Sequence, residues 1–241
     1  MAQQSSGADR SVAASESEPV LPEDIDVSDL DAEVERELRT LPKALAEKIA
    51  RHVVAAHELL DSDPAAALRH ARYAKRKASR IPAVRELLGL VAYHTGEWSQ
   101  ALTELRAVRR MTRSNQHVAV IADAERAMGR PQRALDLAAE TDTSGLTKDV
   151  VVELRIVAAG ARRDLGQVDA AVVALQGPDL REAAGEPWNA RLFYAYADNL
   201  VAAGRSEEAL RWFLRATRVD AAGETDAAER ARELAAVTAD E

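Results

Sequence analysis

Apolar residues recur along most of this chain at the three- and four-residue spacing of amphipathic α-helices. Between residues 87 and 92, and again between 101 and 108, apolar side chains occupy positions that share one helical face. Gly96 separates the two runs, and a glycine there suits a left-handed residue just after a helix end. The pattern therefore predicts a hairpin of two helices that meet near Gly96.

This hairpin pattern repeats along the chain. A glycine, a short gap and then a pair of small or apolar residues also occur at Gly129, Gly166 and Gly204, with glycine spacings of 33, 37 and 38 residues. An earlier copy at Ser62 lacks the glycine. A single helical hairpin cannot bury its apolar face, so neighbouring copies are expected to stack. The pattern predicts an all-α chain with repeats at about 48–81, 82–114, 115–151, 152–189 and 190–222.

The second repeat resembles the tetratricopeptide repeat (TPR), whose pattern includes a Leu-Gly pair, a Tyr, a small Ala and a Phe. The matching positions are Leu88-Gly89, Ala92-Tyr93, Ala101 and Leu105, and Arg85 stands in place of the leading Trp. The resemblance implies a right-handed α-α superhelix, a TPR solenoid of about five repeats. It also implies a non-enzymatic scaffold similar to small stand-alone actinobacterial proteins of this family.

The two ends of the chain differ from the repeats. Residues 1–27 are polar and acidic, and we predict them to be disordered. Residues 28–41 are predicted to form a short acidic helix that begins with a capping box of Ser28 and Asp31. Residues 42–241 form the predicted solenoid, and its segment 226–237 is expected to be a helix that caps the last repeat.

Catalytic chemistry is not indicated by the sequence. The chain has no Cys, no phosphate-binding Gly-x-x-x-x-Gly-Lys motif, no His-Glu-x-x-His motif, and only five scattered His residues. We therefore predict no enzyme, no cofactor, no metal and no small-molecule substrate. Neither a signal-like leader nor an apolar run of membrane-spanning length is present, which predicts a cytoplasmic protein without a membrane partner.

Charge is distributed unevenly along the chain. The net charge of −8 is divided into −9 over residues 1–68, +8 over 69–113 and −7 over 114–241. The basic block contains cations at equivalent positions of the first two repeats, and the resemblance places them on the outer, convex face. We call this set the basic stripe; its members are Arg72, Lys75, Arg76, Arg80, Arg106, Arg109, Arg110 and Arg113.

The basic stripe has several interpretations. It is either a solvated face or a docking surface for an acidic protein, for RNA, or for the protein's own acidic tail. Function therefore has three alternatives: a protein-binding scaffold, an RNA- or ribosome-associated factor, and an accessory subunit of an enzyme complex. The identity of the partner and the oligomeric state stay open.

The resemblance also implies a concave groove lined by the first helix of each repeat. The residues it places there are Glu86, Leu90, His94, Asp123, Arg126, Arg163, Arg191, Tyr194 and Asp198. Their mixed charges favour a polar peptide or a folded protein partner. Trp98 and Trp212 are expected to fill space between helices, whereas Trp188, which follows Pro187, is expected to be an exposed anchor in a loop.

Overall fold

The computed structural model describes residues 17–28, 30–181 and 185–239. These residues form thirteen helices joined by loops, without a β-strand, so the prediction of an all-α protein is confirmed. The chain divides into two compact units, with the boundary between Ser114 and Asn115. We call them unit 1 and unit 2. Residues 1–16, for which disorder is predicted, lie outside the described residues.

In unit 1, the part of the chain that the structure describes forms five helices. They are α1 (Ala32–Leu38), α2 (Lys43–Glu58), α3 (Pro64–Lys77), α4 (Pro82–His94) and α5 (Trp98–Thr112). Helices α2 and α3 pack as one hairpin and α4 and α5 as the next, and α3 packs against α4. The apolar positions at helical spacing form the core between them, with Ile49, Val84 and Leu88 fully or almost fully buried.

The described residues of unit 2 form eight helices. They are α6 (Val118–Ala127), α7 (Pro131–Glu140), α8 (Lys148–Asp164), α9 (Val168–Leu175), α10 (Pro178–Arg181), α11 (Asn189–Ala202), α12 (Ser206–Val219) and α13 (Ala227–Ala239). The hairpins are α6–α7, α8–α9 and α11–α12, and α13 packs on α12. Helix α8 begins at Lys148, so the repeat boundary that the sequence suggests at 151/152 falls inside a helix.

Four of the hairpin junctions share one backbone geometry. Gly96 has a φ of +76°; its N–H donates to Tyr93 O at 3.1 Å, and the N–H of Glu97 donates to Ala92 O at 2.8 Å. These are the two hydrogen bonds of the Schellman motif, which requires a left-handed residue after the helix. The same pair of bonds occurs at Gly129, Gly166 and Gly204, so the repeated glycines mark equivalent turns.

The N-terminal region differs from its sequence prediction. Asp31, and not Ser28, caps the first helix, because its carboxylate accepts a hydrogen bond from the N–H of Glu33 at 2.7 Å. The N–H of Ser28 instead donates to Asp26. Residues 17–27, within the segment predicted to be disordered, follow a defined non-helical path. The carboxylate of Glu18 holds this segment on unit 1 through Lys48, at 2.8 Å.

Candidate functional site

An open pocket of about 460 Å³ lies in unit 2. Its walls come from the first helices of three successive hairpins, α6, α8 and α11, and from the loop that precedes α13. Five of the residues predicted for the concave groove line this pocket: Arg126, Arg163, Arg191, Tyr194 and Asp198. These five side chains are up to 72 positions apart in the sequence.

The arginines of the pocket are held by carboxylates. Arg163 and Arg230 both donate to the carboxylate of Asp198, the latter at 3.2 Å. Arg191 makes a two-pronged contact with Glu153, with N–O distances of 2.6 and 3.0 Å. Fork-shaped guanidinium–carboxylate contacts fix side-chain orientation, so these cations have defined positions around the pocket.

Arg126 spans two helices. Its guanidinium donates to Asp123 at 2.7 Å on α6 and to Asp164 at 2.6 Å on α8. The guanidinium passes close to Gly160, where an added Cβ would lie 3.0 Å from Nη1 of Arg126. Asp123, another predicted groove residue, therefore contributes by orienting Arg126.

Tyr194 contributes a neutral hydroxyl to the pocket. Burial and the hydrogen bond to the Asp226 carboxylate raise the pKa of Tyr194 to about 12. Burial disfavours the phenolate, and the nearby carboxylates disfavour it further. The hydroxyl consequently acts as a hydrogen-bond donor, which links α11 to the loop before α13.

Asn199 supplies an acceptor that no described residue uses. Its side chain is only 3% exposed; the amide nitrogen donates to Ala195 O at 2.7 Å, and Oδ1 has no partner within the described chain. A buried acceptor without a partner costs free energy. The unused acceptor thus belongs to a residue that lines the pocket.

The other predicted groove residues lie in unit 1. Glu86 and Leu90 are half-buried on α4. His94 is exposed at the end of that helix, 4.0 Å from the Asp61 carboxylate. These three residues do not line the pocket.

The basic stripe lies along α3 and α5 of unit 1, and bonds between the two helices engage part of it. Arg72 donates to Gln100 at 2.6 and 2.9 Å. Lys75 lies 3.0 Å from Glu104, a buried carboxylate that Arg85 also contacts at 2.5 Å. Because a buried carboxylate needs cationic partners, Lys75 has a structural role. Five members of the stripe are exposed: Arg72, Arg76, Arg80, Arg110 and Arg113.

Trp188 is not the exposed anchor that the sequence suggests. It immediately precedes α11 and is 8% exposed, packed in the apolar cluster that includes Leu192 and Phe193. The Nζ of Lys148 lies 5.9 Å from the centre of its ring. The sequence prediction also missed Asn199 and the acidic loop 224–226, because the closing of the pocket by that loop depends on the packing of α13.

No protein-family model and no curated protein matches the chain. No helix in the described part of the chain is long and apolar enough to cross a membrane. Across residues 17–28, 30–181 and 185–239, no three His, Asp or Glu side chains are grouped in a way that would hold a metal ion.

Proposed function

We propose that this chain is a TPR-like α-α solenoid that binds an extended, polar segment of a protein partner in the unit 2 pocket. The observation that carries the proposal is the pocket itself. It gathers ordered polar side chains from α6, α8 and α11 and leaves the buried Oδ1 of Asn199 without a partner. We further propose that the protein is non-enzymatic and cytoplasmic.

The hairpin geometry supports the solenoid. Equivalent glycine turns join the helices of four hairpins. In unit 2, the first helices pack side by side, α6 against α8 and α8 against α11. Gly89, in the Leu-Gly pair of the resemblance, lies against Leu105 of the partner helix, where an added Cβ would come within 2.6 Å of Cδ2. Close approach of two helices explains the small residue at this position.

The ligand chemistry follows from the pairing of charges. Arg126, Arg163 and Arg191 each already contact a carboxylate. A strongly anionic ligand would therefore have to displace acidic side chains. A peptide with both polar and charged groups can exchange with these pairs, and its backbone N–H can donate to Asn199. An open pocket of this size accommodates a few residues of such a peptide.

RNA or an acidic protein on the basic stripe is the second candidate. The exposure of Arg76, Arg80, Arg110 and Arg113 favours it, since arginine forms two-pronged contacts with phosphate and carboxylate. The ion pair between Lys75 and Glu104 reduces the positive charge that the basic stripe can offer a ligand. A salt series distinguishes this candidate, because binding to nucleic acid weakens steeply with ionic strength.

The proposal is tested by selecting peptides from a random displayed library on the full chain and measuring their affinity by fluorescence anisotropy. Arg191→Ala and Asn199→Ala should each weaken the selected peptides about threefold to thirtyfold, the range expected when one hydrogen bond is lost. Arg211→Ala, an exposed arginine on α12 outside the pocket lining, is the matched control. Peptides that bind both pocket variants as tightly as the wild type would contradict the proposal.

A further inference from the structure

A second polar site lies in unit 1, at the place where the N-terminal segment meets α2 and α3. One carboxylate oxygen of Glu18 accepts hydrogen bonds from Nζ of Lys48 at 2.8 Å and from the hydroxyl of Tyr73 at 2.9 Å. The other lies 3.5 Å from Nε2 of His52. We call the site formed by Lys48, His52 and Tyr73 the carboxylate slot.

The helices position the slot. His52 is fully buried and Tyr73 is 4% exposed, and their rings pack with centres 4.4 Å apart. Behind them, Nδ1 of His52 lies 2.8 Å from Nδ1 of His70. Burial lowers the pKa of both histidines, that of His70 to about 4. Both rings are therefore neutral at pH 7, and one donates to the other.

The position of Glu18 determines which histidine donates in the hydrogen bond between His52 and His70. The Nε2 of His52 faces the carboxylate of Glu18, which favours the tautomer with the proton on Nε2. Nδ1 of His52 then accepts, and Nδ1 of His70 donates. Three donors consequently point into the slot: the ammonium of Lys48, the hydroxyl of Tyr73 and the buried N–H of His52.

Glu18 does not satisfy all of these donors. At 3.5 Å from the carboxylate, the Nε2 of His52 is buried without a hydrogen-bond partner in the described chain. A carboxylate placed closer to it would gain the bond that Glu18 leaves unmade. The slot is therefore built to hold an anion and is incompletely filled by its present occupant.

Apart from the Glu18 carboxylate, the segment that carries it buries only part of its apolar surface. Residues 17–28 form no helix, and Val20 next to the slot is 92% exposed. At the start of the segment, a guanidinium nitrogen of Arg76 lies 3.5 Å from the carbonyl oxygen of Ser17. Leu21 and Ile25 are only half-buried, so limited apolar burial opposes release of the segment.

We propose that the carboxylate slot is a recognition site for an acidic peptide of a protein partner, and that Glu18 occupies it as a tethered competitor from the same chain. The basic stripe begins beside the slot, with Arg76 stacked near the ring of Tyr73 at 5.4 Å. It provides the complementary charge for the rest of an acidic peptide. This site is separate from the unit 2 pocket, and neither proposal depends on the other.

The test measures binding of a labelled, acetylated peptide with the sequence of residues 17–24 to the full chain at low salt. Because the tether gives Glu18 an effective concentration of up to about 1 mM, its removal should be visible as tighter binding. We expect Glu18→Ala to bind the peptide about tenfold more tightly than the wild type. Glu23→Ala removes an equal charge from the exposed part of the same segment and should bind like the wild type.

Two further binding measurements show whether the acidic peptide binds in the carboxylate slot. In the Glu18→Ala chain, Tyr73→Phe removes one donor while keeping the ring, and should reverse most of the gain. A peptide with Gln at the position of Glu18 should bind at least about tenfold more weakly than the acidic peptide. The proposal is overturned if Glu18→Ala binds no tighter than Glu23→Ala or if the Gln peptide binds equally. It is also overturned if a polyuridylate chain binds the Glu18→Ala protein while the acidic peptide does not.

Discussion

Gly89 offers a sharp test of the helix packing in unit 1. It lies in the middle of α4, where alanine would ordinarily stabilise a helix by about 1 kcal/mol relative to glycine. In this structure, however, a Cβ at position 89 would lie 2.6 Å from Cδ2 and 2.7 Å from Cγ of Leu105. Leu105 is fully buried, so its side chain has no free space into which it can move.

The two effects oppose each other, and their sizes decide the sign. Overpacking a well-filled core costs about 1–3 kcal/mol, which exceeds the helix-propensity gain. The difference between the two effects is a loss of up to about 2 kcal/mol in the free energy of unfolding for Gly89→Ala, measured by urea unfolding followed by far-UV circular dichroism. Leu105→Ala in the same chain should remove the clash, so the double variant should be more stable than the two separate losses predict.

Gly160→Ala is the matched control, because it also replaces a glycine inside a helix. A Cβ there would meet the end of the Arg126 side chain, at 3.0 Å from Nη1. A partly exposed arginine can shift at little cost, so this variant should unfold at the same or a higher urea concentration than the wild type. If Gly89→Ala is as stable as the wild type, the close packing of α4 on α5 is wrong.

Three further predictions concern the turns, the histidines and the last helix. Gly96→Val should lower the unfolding midpoint, with a cost of about 1–3 kcal/mol, because valine is strained at a φ of +76°; an unchanged midpoint would refute the turn. Burial, His52 and Arg69 depress the pKa of His70 to about 4 in the folded protein. Above about pH 6.5, His70 is neutral in both the folded and the unfolded chain, and the folded protein has its full stability. This stability should fall by up to about 3 kcal/mol as the pH decreases to about 4, and His70→Gln should reduce this dependence in urea unfolding, whereas the exposed His57→Gln should not. Deletion of 226–241 should expose the apolar side of α12 and cause association detectable by light scattering, and a monomeric, equally stable product would contradict the capping role.

Much of the fold is predictable from the sequence, because it depends on local patterns. The glycines that end helices in the left-handed conformation, such as Gly96 and Gly204, are marked by their regular spacing and by the apolar runs on either side. The predicted cap of α1, Ser28, lies three residues before the observed cap, Asp31. Asp31 and Ser28 are both good helix caps, and the choice between them depends on how Leu38 packs in the core.

The candidate site was less accessible to sequence reasoning. The repeat register identified Arg126, Arg163 and Tyr194 as groove residues, because equivalent positions of successive first helices lie side by side. It did not identify Asn199, whose significance comes from an oxygen left without a partner after packing. Glu18 was also hidden, since nothing in an acidic tail distinguishes the one carboxylate that contacts Lys48 from its neighbours.

The proposal that unit 2 holds a partner segment in its pocket is tested most directly by site-specific photo-crosslinking in the native host. A benzophenone amino acid in place of Tyr194, which lines the pocket, should form a covalent adduct with a protein partner. The same group in place of Val173, which is 61% exposed on α9 and outside the pocket lining, should not form that adduct. The adduct at position 194 should disappear when Arg191→Ala and Asn199→Ala are combined. An adduct of equal yield at both positions, or one that survives the two substitutions, would contradict a binding role for the pocket.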